Sequence, residues 1–326
     1  MVQRLSSLLI AATLSVASQA SAQTPANTPW TMLRLPDTGQ TQRYTQTRGE
    51  DSFYTLNAPS YQVNNDGTIS DLITGLQWQQ ADAGEQLWAT GVDYCKALSL
   101  GGKKDWRLPY VHELFSLVNH QMNRPAMDTR IFTKSEAEYW WAIEERVDNP
   151  SYAWAVNAGG GAGAHPKSET VSAGGKKTYH VRCVRGAELG TPGTAPFTDN
   201  GDGTVTDRRT GLVWQQKEGL AAANWEDALK YVAALDLGGQ KDWRLPNLKE
   251  LESISSPYIA KPSVDPRFFP DTASALFWSS TTLAQRAERA WTVDFRYGLI
   301  SYNDKTDALH VRAVRGGSTS VDTQRR

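Results

Sequence analysis

Asp199, Asp202 and Asp207 stand in the run DNGDGTVTD, and their carboxylates are hard oxygen ligands of the kind calcium takes. Their spacing departs from the EF-hand loop. Asn-Gly and Asp-Gly are also strong hairpin signals, so the same run reads as a turn. A parallel run earlier in the chain keeps Asp66 and Asp71 but has Val63 where Asp199 stands. Basic chemistry gathers in AGGGAGAHPKSETVSAGGKKT, residues 158–178, which holds His165, Lys167, Lys176 and Lys177. These donors suit sulfate or carboxylate groups, and a glycine-rich, flexible loop can approach a ligand closely. A solvated insertion without a partner is the plainer reading of the segment. Arg208 and Arg209 form a second basic turn.

No catalytic constellation emerges, and the expected set of catalytic residues is empty. None of the five histidines falls in an H-x-x-x-H pair or a Cys/His cluster with zinc spacing. A nucleophile elbow and a P-loop are absent from the sequence. GGGAGA fits G-x-G-x-x-A by letter, but it lacks the strand-then-helix context of a dinucleotide site. His180 and His310 recur before the last strand of each half and read as structural. No cofactor is expected beyond the calcium option.

The chain has two cysteines, Cys95 and Cys183, both in its first half. Their counterparts in the second half are Val232 and Ala313. Thiols occupy both positions or apolar residues do, which is how a disulfide pair behaves. Two buried free thiols remain the alternative, and a catalytic cysteine lacks an obvious histidine partner.

The elements that would position these groups occur twice. NNDGTISDLITGLQWQQ returns as NGDGTVTDRRTGLVWQQ, DWRLPYVHEL as DWRLPNLKEL, and YHVRCVRG as LHVRAVRG. The offset is 136 residues, then 137, then 130, so the first copy holds extra residues before its last strand. A period this long means tandem domains. The expected order is a lead-in at 23–60, copy one at 61–186, a Gly/Pro linker at 187–196, copy two at 197–316 and a disordered tail at 317–326. Five tryptophan pairs keep the offset: Trp78/Trp214, Trp88/Trp225, Trp106/Trp243, Trp141/Trp278 and Trp154/Trp291. They read as core posts, with sugar stacking open for one pair.

Each copy reads as α+β, with two helices and short strands. The first helix of copy two starts at the cap Asn224, with Asp227 in its first turn, and Gly238-Gly239 is expected to stop it. The second opens on a capping box, Asn247 and Glu250; copy one keeps Glu113 but has Tyr110 at the cap. DWRLP is extended before that helix, and Arg107 and Arg244 are expected in structural ion pairs.

With 326 residues, 40% hydrophobic and 21% charged, the composition is that of a globular protein of two ordinary domains. Its net charge of −1 gives no pull toward nucleic acid or acidic membrane. Residues 1–22 read as a signal peptide: Arg4, the apolar LSSLLIAATLSVA, then Ala20-Ser21-Ala22. The mature chain is expected to start at Gln23, in the periplasm or outside the cell. No other window is apolar for long enough to span a bilayer.

DNGDGTVTD, LGG..DWRLP...EL, FWSST, AWTVDF and VRAVRG together resemble the Lcl C-terminal domain family over nearly all of both copies. LPDTGQTQRYTQTRGEDSFY resembles the lead-in found before such domains. That family takes its name from a bacterial collagen-like adhesin that binds sulfated glycans. The resemblance implies a helix-to-strand bridge from Cys95 to Cys183. WRLPNLKEL and VRCVRG are also similar to the formylglycine-generating-enzyme branch of C-type-lectin-like folds, whose active cysteine pair has no equivalent here. Two tandem C-type-lectin-like domains are therefore expected. The function expected is binding of a glycan or other anionic polymer at the cell envelope. An envelope protein-interaction component and a diverged enzyme are the rivals. A basic or aromatic cleft, an exposed apolar patch, or clustered groups with shifted pKa would tell them apart.

Overall fold

The computed structural model describes residues 29–55, 57–136, 138–170, 175–186 and 196–316. The expected signal peptide, most of the linker and the tail lie outside the described residues. In copy one the elements run β1 (Tyr61–Val63), β2 (Thr68–Asp71), β3 (Gln77–Gln79), β4 (Glu85–Gln86), α1 (Trp88–Ala97) and α2 (Val111–Ser116). Then come β5 (Tyr139–Arg146), β6 (Asn149–Asn157), β7 (Ala162–Pro166), β8 (Tyr179–His180) and β9 (Val184–Arg185). Copy two runs β10 (Phe197–Asp199), β11 (Thr204–Asp207), β12 (Val213–Gln215), α3 (Trp225–Ala233) and α4 (Leu248–Ser253). It finishes with β13 (Leu276–Thr282), β14 (Arg289–Asp294), β15 (Leu299–Asp304) and β16 (Val314–Arg315). The class is α+β, mostly strand with four short helices among the described residues.

Each copy closes on itself. Its last strand returns beside its third, giving four-stranded sheets in the order β1-β2-β3-β9 and β10-β11-β12-β16. The repeated sequence motifs make that closure. Arg107 and Val184 exchange backbone hydrogen bonds at 2.9 Å, and Arg244 and Val314 do the same. The side chain of Arg107 reaches both carboxylate oxygens of Glu113, at 2.7 and 2.6 Å; Arg244 reaches Glu250 at 2.6 and 2.5 Å. Those glutamates also accept from the backbone N–H of Tyr110 and Asn247 at the helix starts. The aspartate of each phrase holds the last arginine of the closing motif, Asp105 with Arg185 and Asp242 with Arg315. Arg182 and Arg312, fully buried, donate to the carbonyls of Gln79 and Gln80 and of Gln215 and Gln216. DWRLP...EL is a bolt between strand, helix and closing strand.

Helix α3 starts as expected, with Asn224 accepting from Asp227 N–H at 2.9 Å. Asn224→Ala should cost about 1 kcal/mol in a denaturant titration, since one orphan helix donor loses its partner. The helix ends at Ala233, before Gly238-Gly239. The glycine pair instead forms a tight turn, with φ of 60° and 69°. A Cβ on Gly238 would lie 2.8 Å from Asp202, so the turn sits directly on the Asp-Gly hairpin. Gly101 and Asp66 repeat the contact at 2.7 Å.

Three apolar clusters fill the molecule. One belongs to copy one, around Cys95, Trp106, Trp141 and Cys183. One belongs to copy two, around Trp225, Val232, Trp243 and Trp278. The third contains residues of both copies together with Trp30, Met32 and Leu35. Every repeated tryptophan is buried except Trp88, which is half-buried under Lys167 at 4.4 Å. Cys95 and Cys183 are joined by a disulfide.

The copies also share one eight-stranded sheet, β13-β14-β15-β7-β6-β5-β8-β4. Its middle seam pairs Ile300 of β15 with Ala162 of β7, which are equivalent strands of the two repeats. The equivalent helices α2 and α4 meet as well. Like elements meeting like is the isologous arrangement of a two-fold dimer, here within one chain. The lead-in is built into this joint. Gln40 exchanges hydrogen bonds with Thr282 at 2.8 and 3.0 Å, Thr31 donates to Glu113 at 2.5 Å, and Thr38 O accepts from His120 N–H.

Candidate functional site

Two places in the joint gather chemistry. The first is sealed. Lys249 on α4 stands where copy one has His112, and its ammonium donates to Asp37 O at 2.9 Å and Ser116 O at 2.8 Å. Burial lowers its pKa to about 8. Burial raises Asp37 to about 6, and Glu144 and Glu252 to about 8 each. Glu144 accepts from Val111 N–H at the start of α2. Its counterpart Thr281 accepts from Leu248 N–H at 2.9 Å and donates to Asp51 at 2.6 Å. Burial and the neighbouring Asp37 hold Asp51 well above the usual carboxylate range. His112, stacked between Trp30 and Tyr110, is lowered by burial to about 4, and His120 to about 3. All seven groups are 8% exposed or less.

Such a network couples folding to protons. Glu144 and Glu252 have raised folded pKa values, so their stabilising contribution is complete below 4.5 and is lost as pH rises to about 8. The histidines act oppositely, gaining stability as pH rises from about 3–4 to 6.5. Between 6.5 and 8 the carboxyl contribution is left to fall. Melting temperature should therefore decline across that interval, and Glu252→Gln should flatten the decline. Parallel pH curves for parent and variant would contradict this.

The second place is open. A groove of about 960 Å³ lies at the seam, between the β6–β7 turn and the start of β5 on one side and β14–β15 on the other. Asn157 shapes the turn by accepting from Gly159 and Gly161 N–H at 2.8 and 3.1 Å. Gly161 lets β15 approach: a Cβ there would meet Ile300 O at 3.0 Å. Tyr302, 43% exposed, and half-buried Tyr139 line the groove with the buried Trp291. Tyr302 meets Trp291 edge-on at 5.6 Å, and His165 packs edge-on against Tyr139 at 4.6 Å. Exposed Arg124, Lys134, Glu136 and Glu138 complete the lining's charge.

The residues singled out from sequence fall elsewhere and do not converge. Lys167 is paired with Glu145 at 2.6 Å and Lys177 with Glu169 at 3.2 Å; Lys176 donates to Thr170 at 3.1 Å. Residues 171–174 of that segment lie outside the described residues. Its glycine run is an ordered turn leading into β7, not a flexible loop, because β6 and β7 pair over Tyr152–Pro166 to Val156–Ala162. His165, on β7, has its pKa lowered by burial and by Lys177, and it supports Tyr139. Arg208 donates to Phe197 O. Arg209 is tied to Asp207 at 2.9 Å and to Ser253 O. Asp202 accepts from the backbone and hydroxyl of Thr204, and Asp199 from Gly201 N–H and Gln216. These are turn contacts; among the described residues no three His, Cys, Asp or Glu are grouped to hold a metal. His180 is paired with buried Asp82 at 3.0 Å, the structural use expected of it.

Ala158, Gly159 and Gly161 of the lining belong to the glycine-rich segment singled out from sequence, and Trp291 to a repeated tryptophan pair; Arg124, Lys134, Glu136, Glu138, Tyr139, Ser301 and Tyr302 carry no motif and differ between copies. One signal was present: Ala158-Gly159-Gly160 occupies the place of Phe295-Arg296-Tyr297, and small side chains leave volume. A family model described as the Lcl C-terminal domain matches residues 67–185 and again residues 203–315. No curated protein matches the chain.

Proposed function

Starting from the fact that the chain belongs to the Lcl C-terminal domain family, in two tandem copies, we propose that it is an exported, non-catalytic binding protein that holds a carbohydrate chain between its copies. The observation that carries this reading is the seam groove, with exposed Tyr302 and half-buried Tyr139 among amide, hydroxyl and charged side chains. Sugar rings present apolar faces for aromatic stacking and hydroxyl rims for hydrogen bonds, and this lining offers partners for both. Access supports the non-catalytic half: most groups with strongly shifted pKa are buried, and Lys305, lowered to about 8 and only half-buried, donates to Thr282 and lies 3.7 Å over the Trp225 ring. The Cys95–Cys183 bridge and the signal-peptide pattern support export, since disulfides persist in oxidising compartments. Among the described residues no helix is long and apolar enough to cross a membrane. A C-type-lectin-like fold for each copy is supported by the return of its last strand beside its third, which puts its first and last strands in one sheet.

The test is a glycan array probed with the chain from Gln23 and with Tyr302→Ala. Glycan binding should weaken about tenfold in the variant, the loss of one stacked ring, while the melting temperature holds. Binding of no glycan, or equal binding by both proteins, would contradict the reading.

A further inference from the structure

We infer that the groove takes an uncharged saccharide, and takes one per chain. This rests on the carbohydrate reading of the groove. Four charged side chains line it, Arg124 and Lys134 against Glu136 and Glu138. All four are exposed, and none has an ion pair or side-chain hydrogen bond among the described residues. Two cations and two anions leave the lining with no net charge. A sulfated or carboxylated chain lying there would gain from the first pair and lose to the second. It would also bring a negative charge beside Glu136 and Glu138 in a partly desolvated cleft, which is costly. Sugar hydroxyls suffer neither penalty, because a hydroxyl donates to a carboxylate and accepts from a guanidinium or ammonium. Three of the basic residues singled out by sequence for a polyanion are neutralised elsewhere, Lys167 by Glu145, Lys177 by Glu169 and Arg209 by Asp207, while Lys176 and Arg208 lie outside the groove.

The repeat explains the count. In copy two, the counterparts of Ala158, Gly159 and Gly160 are Phe295, Arg296 and Tyr297. Phe295 is fully buried against Phe277, and Arg296 folds back on Asp294 at 2.6 Å. Lys261 takes the place of Arg124 and lies 5.5 Å over the Tyr297 ring. Copy one has Gly160 at the position of Tyr297, so Arg124 has no equivalent ring to lie over. Lys134, Glu136 and Glu138 become Asp271, Ala273 and Ala275. The duplicated scaffold is kept, and small residues hollow it on one side of the seam alone.

The experiment is calorimetric titration of the chain from Gln23 with two sets of probes. One is neutral oligosaccharides of the cello, malto and N-acetylchito series; the other is a heparin oligosaccharide. A neutral probe should bind with one site per chain, and its affinity should change less than about twofold between low and high salt. Ser301→Trp, which places a ring in the groove from an exposed position, should weaken that binding at least about tenfold. Glu136→Gln with Glu138→Gln should weaken it about three- to tenfold, because charge-assisted acceptors for the sugar hydroxyls become neutral ones. If heparin alone binds, weakens with salt, strengthens in the glutamine variant and is blocked by Ser301→Trp, the groove is a carbohydrate site but this inference is wrong. Two equivalent sites per chain would overturn the count. If no saccharide binds, or if binding ignores Ser301→Trp, the groove reading itself falls.

Discussion

Replacing Trp243 by alanine should destabilise the protein by about 3–5 kcal/mol, the range for deleting a buried aromatic. Trp243 is 3% exposed and sits with Val232, Leu245 and Trp278 in the apolar cluster of copy two. Its indole N–H also donates to Leu237 O and Gln240 O at 3.1 Å each. Those carbonyls flank the Gly238-Gly239 turn, which rests on the Asp-Gly hairpin. The substitution therefore opens a cavity and loosens the turn together. Trp106, which donates to Leu100 O at 3.2 Å, should behave alike in copy one. Denaturant titration followed by far-ultraviolet circular dichroism measures both. A Trp243→Ala chain with an unchanged midpoint would overturn the scaffold reading of the repeated phrase.

Removing the disulfide should have an effect of similar size. Cys95 in α1 and Cys183 just before β9 are 88 residues apart, and both are fully buried. On the chain-entropy model a bridge closing such a loop contributes about 4–5 kcal/mol, by restricting the unfolded chain. Copy two fills the same positions with Val232 and Ala313, 1% and 0% exposed, and holds them by packing alone. Reductant should therefore lower the melting temperature of the whole chain, since the copies share a sheet and a core. Cys95→Val with Cys183→Ala, which imitates copy two, should recover part of the loss through packing. Two alkylatable thiols in unreduced protein would contradict the pairing.

Much of the scaffold was legible in the residues. Repetition located the copies, the capping signals at Asn224 and Asn247 placed helix starts, and the paired absence of thiols in copy two pointed to the bridge. These are signals carried by local spacing or by comparison within the chain. The joint was not legible in that way. Lys249 reads as an exposed charge on a short amphipathic helix; it is buried because α2 and the lead-in cover it, and nothing in its local sequence records them. The lead-in, read as a linker, contributes Trp30, Met32 and Leu35 to the joint core. Gly238-Gly239 was taken for a helix stop because glycine is common there; its φ angles serve a turn against Asp202 instead. The basic segment around His165 drew notice by charge, yet charge in a sequence does not show its partner. Glu145 and Glu169 are those partners, Glu145 reaching Lys167 from β5 and Glu169 reaching Lys177 beside an isolated bridge.

The central claim, that the seam between the copies holds a saccharide, is tested most directly by a crystal structure of the chain with the oligosaccharide that binds best in titration. The account predicts sugar rings against Tyr302 and Tyr139, within hydrogen-bonding distance of Arg124, Asn157 or Glu138. Sugar seated instead on the segment from His165 to Lys177, or on the Arg208-Arg209 turn, with the groove holding only water, would contradict it.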